Sequence, residues 1–440
     1  MVRAMANFFV RVMERYLPDP FLFAVILTMV VYFAALFFTP STAFELVDYW
    51  AGGLWGILAF TMQICIVLVT GAALVQTPAV TKALNKLCSV VKTPKAAYAF
   101  TVFLSSLASL LSWGVGLIVG AFIARQMATR IQNVHYPLLV AAAYSGFVVW
   151  TMGYTSSAAL LVATKGHPLE KVIGVIPVSE TLLTPFNLIT AALIVISLPV
   201  LMIFMAPKNE EVKSIDPALL REEAATLEYA PQPAPQSWAS KVENLRILNL
   251  IIAAAGIVFL YRYFAKGGTL DINVVNTTFL VAGLLLSRSP IDYVNNIMEG
   301  GKSLGAIVLQ FPFYGGIIGL MEKSGLAVII SEWFTDISTA ATLPFWAFIS
   351  AGFLNIFIPS GGAQWAVQGP IMMEAAVKLG ADIPKVLMGV AWGEWTNMIQ
   401  PFWAIPALAI AGLKAKDIMG YCVLTLIVSG VLFSIGALFL

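Results

Sequence analysis

Between Asp336 and Glu374 the chain carries no charged residue, and midway along that run it reads Pro359-Ser360-Gly361-Gly362. An uncharged stretch of this length belongs inside a membrane. Pro and paired Gly break a continuous helix there, because Pro lacks the N–H and Gly costs more than any residue but Pro in a helix interior. Lipid cannot satisfy the peptide groups that the break frees. Broken backbone at membrane depth survives only where protein buries it or it lines a wet cavity. Secondary transporters build substrate sites from such breaks.

Composition sets the same class. Of 440 residues, 60% are hydrophobic and only 11% are charged, whereas globular chains carry about 25% charged residues. So few charges could not cover a soluble fold of this size, and a polytopic helical membrane protein is expected. The net charge of +2 contains no basic block for nucleic acid. Cys65, Cys88 and Cys422 are far apart and form no CxxC, so neither a disulfide framework nor a metal set is implied. His135 and His167 have no likely co-ligand near them in sequence. No P-loop, HExxH or GxSxG pattern is present. No catalytic residue, metal or cofactor is expected, and the chain reads as no enzyme. The N-terminal MVRAMANFFVRVMERYL is amphipathic and basic, not a cleavable signal. It is expected on the cytoplasmic face, leading into the first span.

Apolar runs near 20 residues place crossings at 20–38, 53–76, 136–164, 184–205, 246–264, 271–287, 303–321, 386–412 and 417–440. Two runs fit neither one helix nor two: Ala96–Ala124, interrupted at Leu111–Gly116, and the stretch around Ser360. Each suits a re-entrant hairpin, at about 96–124 and about 343–376. Charge placement agrees. The loop 77–95 carries Lys82, Lys86, Lys92 and Lys95 without an acid, whereas 39–52 carries only Glu45 and Asp48. The positive-inside rule puts the N-terminus in the cytoplasm. A hairpin returns Arg125 and Arg130 to that side, and Glu322 to Asp336 falls outside with the C-terminus.

A polar, Pro-rich insert at 206–245 reads as a solvated cytoplasmic linker. It separates 1–205 from 246–440, which share a weak repeat. A shift of about 245–248 sets Gly52-Gly53 on Gly300-Gly301, Gln63 on Gln310, and Ser112–Gly116 on Pro359–Gly362. The C-terminal copy starts with one extra span, so the copies begin on opposite sides. An inverted-topology repeat is expected, the plan of many secondary transporters.

Two spans are also broken internally. Trp150–Ser157 packs four Ser and Thr hydroxyls and a glycine into 136–164, and its mate at Gly393–Pro401 carries Glu394, Asn397 and Gln400 on one helical face. Hydroxyls and amides can also be interhelical glue, worth about 0.6 to 2 kcal/mol per contact. An ionisable group within a span is a functional-site hypothesis by default. If the hairpin tips meet these breaks, half-helix N-termini at Gly114–Leu117 and Gly361–Ala363 aim N–H groups at an anion. Without Lys or Arg in the breaks, a monocarboxylate is easier to hold than a di- or tricarboxylate. The expected substrate-binding residues are Ser112, Gly114, Thr151, Thr155, Ser156, Ser360, Gly361, Gly362, Asn397 and Gln400, with Glu394 coupling the cation. Trp113, Tyr154, Phe357, Trp365 and Trp403 could wall a cavity for a short acyl chain.

Three stretches, ERYLPDPFLFA (14–24), LLSWGVGLIVGAF (110–122) and PSGGAQWAVQGPIMMEA (359–375), resemble the short-chain fatty acid transporter family of bacteria, and the likeness spans the whole chain. The resemblance implies membership of the ion transporter superfamily, with paired hairpins and elevator-type movement in the inner membrane. It also implies uptake of short monocarboxylates such as butyrate or acetoacetate. The superfamily's dicarboxylate carriers have Ser-Asn-Thr tips, and this chain has Ser-Trp-Gly and Pro-Ser-Gly-Gly, which leaves a sodium site at the tips in doubt. Partners expected are the short-chain fatty acid or ketoacid, a proton or sodium ion, membrane lipid and a second copy in a homodimer. Symport with a proton is the preferred coupling. A sodium-coupled carrier and a passive carboxylate channel are the alternatives.

Overall fold

The computed structural model describes residues 2–16, 20–163, 167, 169–216, 237–268, 272–301, 304–359 and 361–440. Among these there are helices and no strand. Ser360 and residues 217–236 of the expected linker lie outside the described residues.

The amphipathic α1 (Val2–Tyr16) packs on the last helix of the chain, and α2 (Pro20–Phe38) follows as an apolar helix. Thr42 and Glu45 form a capping box that starts α3 (Ala43–Gly53). Next come α4 (Leu58–Gln76) and α5 (Pro78–Cys88), bent by 69° where Pro78 begins a new helix after extended Thr77. Helices α6 (Pro94–Leu111) and α7 (Trp113–Arg130) fold back on each other at Ser112. Ser105 Oγ lies 3.4 Å from the Gly116 carbonyl across this antiparallel pair. Helix α8 (Tyr136–Ser145) continues as a tight 3₁₀ segment, Gly146–Met152, then breaks before α9 (Ser157–Val162) and α10 (Pro185–Met205).

The second half repeats this order. Helices α11 (Arg246–Ala265), α12 (Ile272–Leu286), α13 (Pro290–Gly301) and α14 (Gly305–Lys323) lead to α15 (Leu326–Asp336), turned by 69° at left-handed Gly325. Helices α16 (Leu343–Asn355) and α17 (Gly361–Leu379) meet across Gln368 Nε2 and Ser350 Oγ at 2.7 Å, so they too run antiparallel about Pro359. Asp382 caps α18 (Ile383–Trp392), which passes into a 3₁₀ segment, Gly393–Ile399, then α19 (Ala404–Ala411) and α20 (Ala415–Phe439).

Element lengths recur between the halves: 19 residues in α4 and α14, 11 in α5 and α15, 10 in α8 and α18, and 7 in the two 3₁₀ segments.

Six described helices are long and apolar enough to cross a membrane, and the two bent pairs raise that to eight. Several expected boundaries move for physical reasons. The run 53–76 starts at Leu58 because turns occupy 54–57, and 386–412 is three pieces interrupted at Gly393 and Gln400–Trp403. The stretches 77–95 and 322–336, expected as loops, contain α5 and α15.

Packing sorts the helices into two groups. Helices α2, α3, α4, α12, α13 and α14 pack among themselves, and α11 packs on α12. The hairpins, both 3₁₀ segments, α8, α10, α18 and α20 form the other group, gripped by α5 against α7 and by α15 against α16 and α17.

Candidate functional site

The two 3₁₀ segments cross each other in the second group, with α9 and the N-terminus of α17 packed beside them. Where they meet, a crevice is lined by Trp150, Thr151 and Ser156–Ala158 from the first half, and by Gly361, Gln364, Trp365, Val390, Ala391 and Glu394 from the second. It is closed down to about 10 Å³, room for about one water.

Its polar lining is unusual for a membrane interior. Thr151 Oγ1, Ser156 Oγ, the Trp150 indole N–H and Gln364 Oε1 are all buried and have no hydrogen-bond partner among the described residues. An unpaired buried polar group costs about 1–3 kcal/mol, so four on one crevice point to a ligand that satisfies them. Glu394 is 2% exposed, and no Lys or Arg lines the crevice with it.

Behind Glu394 stands an amide network. Asn397 Nδ2 donates to Glu394 Oε2 at 2.8 Å, while Asn397 Oδ1 accepts from Gln400 Nε2 and Asn355 Nδ2 at 2.7 Å each. With its amide turned, Asn355 instead donates to Glu394 Oε1 at 3.2 Å and accepts from Thr396 Oγ1 at 2.9 Å. This turned orientation satisfies both ends of the Asn355 amide. The Tyr144 hydroxyl fixes the segment from the other half, donating to the Asn397 carbonyl at 2.7 Å.

Of the residues expected from sequence, Thr151, Ser156, Gly361 and Glu394 meet at the crevice, and Asn397 and Gln400 back it. Ser360 lies outside the described residues. Gly362 is exposed, and a Cβ there would meet nothing within 4 Å. Ser112 and Gly114 sit at the other hairpin tip, away from the crevice lining. Thr155 Oγ1 accepts the Trp113 N–H at 3.1 Å, so α7 has its first orphan donor capped by the chain itself. The N-terminus of α7 is thus capped from within the chain, and that of α17 lies at the crevice with its polar groups.

Among the expected aromatic residues, Trp365 lines the crevice and Tyr154 is exposed. Trp403 links the tips: its indole N–H donates to the Pro359 carbonyl at 3.1 Å, and its ring lies 5.1 Å from that of Trp113. Sequence reasoning passed over Trp150, Gln364 and Asn355. Gln364 falls one turn after the Pro-Ser-Gly-Gly break and Asn355 one turn before it, which was the available signal.

A family model described as short chain fatty acid transporter matches residues 1–440. A protein of Escherichia coli (strain K12) is 45% identical over 439 residues, covering 99% of each chain. One of Haemophilus influenzae (strain ATCC 51907 / DSM 11121 / KW20 / Rd) is 41% identical over 449 residues, covering 100% of each. Both have short-chain fatty acid transport in their names. Among solved structures, the Alcanivorax borkumensis YdaH transporter aligns with 96% of this chain and 97% of its own at 15% identity, with a TM-score of 0.45. That likeness is too distant to carry an argument.

Proposed function

The chain belongs to the short chain fatty acid transporter family, and from that premise we propose that it is a secondary active transporter importing short monocarboxylates, such as butyrate or acetoacetate, by proton symport. The observation that carries this reading is Glu394, buried on the same crevice as the unpartnered Trp150, Thr151 and Ser156 donors, with no cation in the lining. A substrate carboxylate takes those three donors and the N–H groups of the first turn of α17, where the helix dipole favours an anion. Glu394 then stands beside it. Two carboxyl groups sharing one site cannot both be ionised, so the acid enters only when Glu394 carries a proton. Substrate and proton therefore travel together, one for one. Asn397, itself held by Gln400, donates to Glu394 from behind.

Residues 1–205 and 246–440 act in this reading as inverted repeats around the linker 206–245, with α6–α7 and α16–α17 as re-entrant hairpins. The recurring element lengths support it. The group that holds the crevice would move as an elevator against the group of α2, α3, α4 and α12–α14. Several apolar helices suit a multi-pass protein of a bacterial inner membrane, with the N-terminus in the cytoplasm as its proposed orientation.

Transport is tested by counterflow of labelled butyrate into proteoliposomes, with pH and sodium gradients imposed separately. Accumulation is expected under an inward proton gradient and absent under sodium alone, after subtracting entry into protein-free vesicles. Accumulation driven by sodium alone would overturn proton coupling. Topology has its own test, placed at exposed Lys95 and Thr129, which flank the α6–α7 pair. Lys95→Cys and Thr129→Cys should both be labelled by an impermeant maleimide from one face. Labelling from opposite faces would exclude a re-entrant α6–α7.

A further inference from the structure

We infer that Trp365, resting on Gly369, sets the length of acyl chain that the crevice accepts. This rests on the carboxylate site proposed above and adds where the acid's tail goes.

The crevice has two chemically different ends. At one, Gly361 faces Glu394 and Trp150: a Cβ on Gly361 would lie 3.5 Å from Glu394 Oε1 and 3.1 Å from the Trp150 ring. One turn onward along α17 come Gln364 and Trp365, and one turn back from Glu394 come Val390 and Ala391 on α18. All four line the same crevice. A helical turn rises about 5.4 Å, so a chain bound by its carboxyl at Gly361 runs about one turn before meeting this second set. There Trp365, Val390 and Ala391 are apolar, Ala158 joins them from α9, and Gln364 adds one polar side chain.

Trp365 closes that end. It is 3% exposed, and its indole lies flat across its own helix: a Cβ on Gly369 would come within 2.8 Å of Trp365 Cε2 and 2.9 Å of Cδ2. Only glycine lets the ring lie there. Ala158 and Ala391 are small where the crevice needs room for a tail, and the indole is the bulky, rigid group that ends it. Trp365 and Gly369 together are a gauge: the carboxyl is fixed at one end, and the ring stops the chain at the other.

The gauge predicts opposite effects from two substitutions in one helix. Trp365→Leu removes the stop. Gly369→Ala pushes the ring off the helix into the crevice, and alanine favours helix, so folding is not at stake. Each protein is reconstituted, and counterflow of labelled butyrate is competed with straight-chain acids from acetate to octanoate. Trp365→Leu should make hexanoate, two methylenes longer, compete at least about tenfold better relative to butyrate, the lower end of what a single methylene is worth in an apolar pocket. Gly369→Ala should move the optimum toward acetate and propionate. An unmoved length profile in both variants, or a shift of the same sign in both, would overturn the gauge while leaving the carboxylate site intact. A native protein without butyrate counterflow would instead remove the carboxylate site on which the gauge depends.

Discussion

Replacing Glu394 with Gln should uncouple the carrier: labelled butyrate will still exchange across the membrane, but accumulation driven by a proton gradient will be lost. Glutamine has the shape of the protonated acid and keeps a group that Asn397 Nδ2 can donate to, as it does to Glu394 Oε2 at 2.8 Å. It permanently mimics the loaded state. A carboxylate charged inside a membrane protein costs several kcal/mol per ion, and its protonated form costs far less. Coupled transport requires the native site to return empty only after the proton has left, and the variant has no proton to lose. Exchange needs just the loaded form, so it should stay within about threefold of native, whereas gradient-driven accumulation should fall by at least about tenfold, or 1.4 kcal/mol. Counterflow and pH-jump uptake on the same vesicles separate the two. Loss of both in a folded protein would make Glu394 a packing or substrate group, and retained proton-driven accumulation would remove it from coupling. A Glu394→Asp variant adds a check, since a shorter acid should restore some proton dependence.

The ends of this reasoning were visible in the sequence in unequal measure. The break at Pro359–Gly362 was legible because no lipid-facing helix tolerates it, and the structure turns the chain there between α16 and α17. The interruption at Leu111–Gly116 likewise marks the turn from α6 to α7. Glu394 stood out because ionisable residues are rare in spans, and it does sit buried on the crevice. What sequence could not convey was the difference between the two tips. Thr155 is 42 positions from Trp113, and no local pattern says that its hydroxyl fills the α7 N-terminus. Nor does periodicity identify Trp150, whose indole looks like ordinary core until its N–H proves unpartnered. The helices α5 and α15 were missed as well. Both are short segments turned away from the apolar helix before them, and the charges they carry, Lys82 and Lys86 in α5 and Glu332 and Asp336 in α15, read as those of loops.

Gly361→Val should abolish uptake, and Gly362→Val should leave it close to native. The two glycines are adjacent in sequence and face different surroundings. A Cβ on Gly361 would lie 3.1 Å from the Trp150 ring, 3.3 Å from Ser157 Oγ and 3.5 Å from Glu394 Oε1, so the γ-methyls of valine fill a crevice with room for about one water. They also screen the N–H groups of the α17 first turn from a carboxylate. Gly362 is exposed, with nothing within 4 Å of a Cβ. Both positions lie at the start of a helix and neither has a positive φ, so valine strains the backbone at neither one. The expected fall for Gly361→Val is at least about tenfold, 1.4 kcal/mol, at unchanged abundance and unchanged melting in detergent. Gly361→Ala should lie between, because the flexible Ser157 hydroxyl can yield a few tenths of an ångström. If the tip needed glycine only for flexibility, both valines would fail together. If the carboxylate bound elsewhere, both would transport. Only failure at Gly361 with function at Gly362 places the acid against this face of the helix.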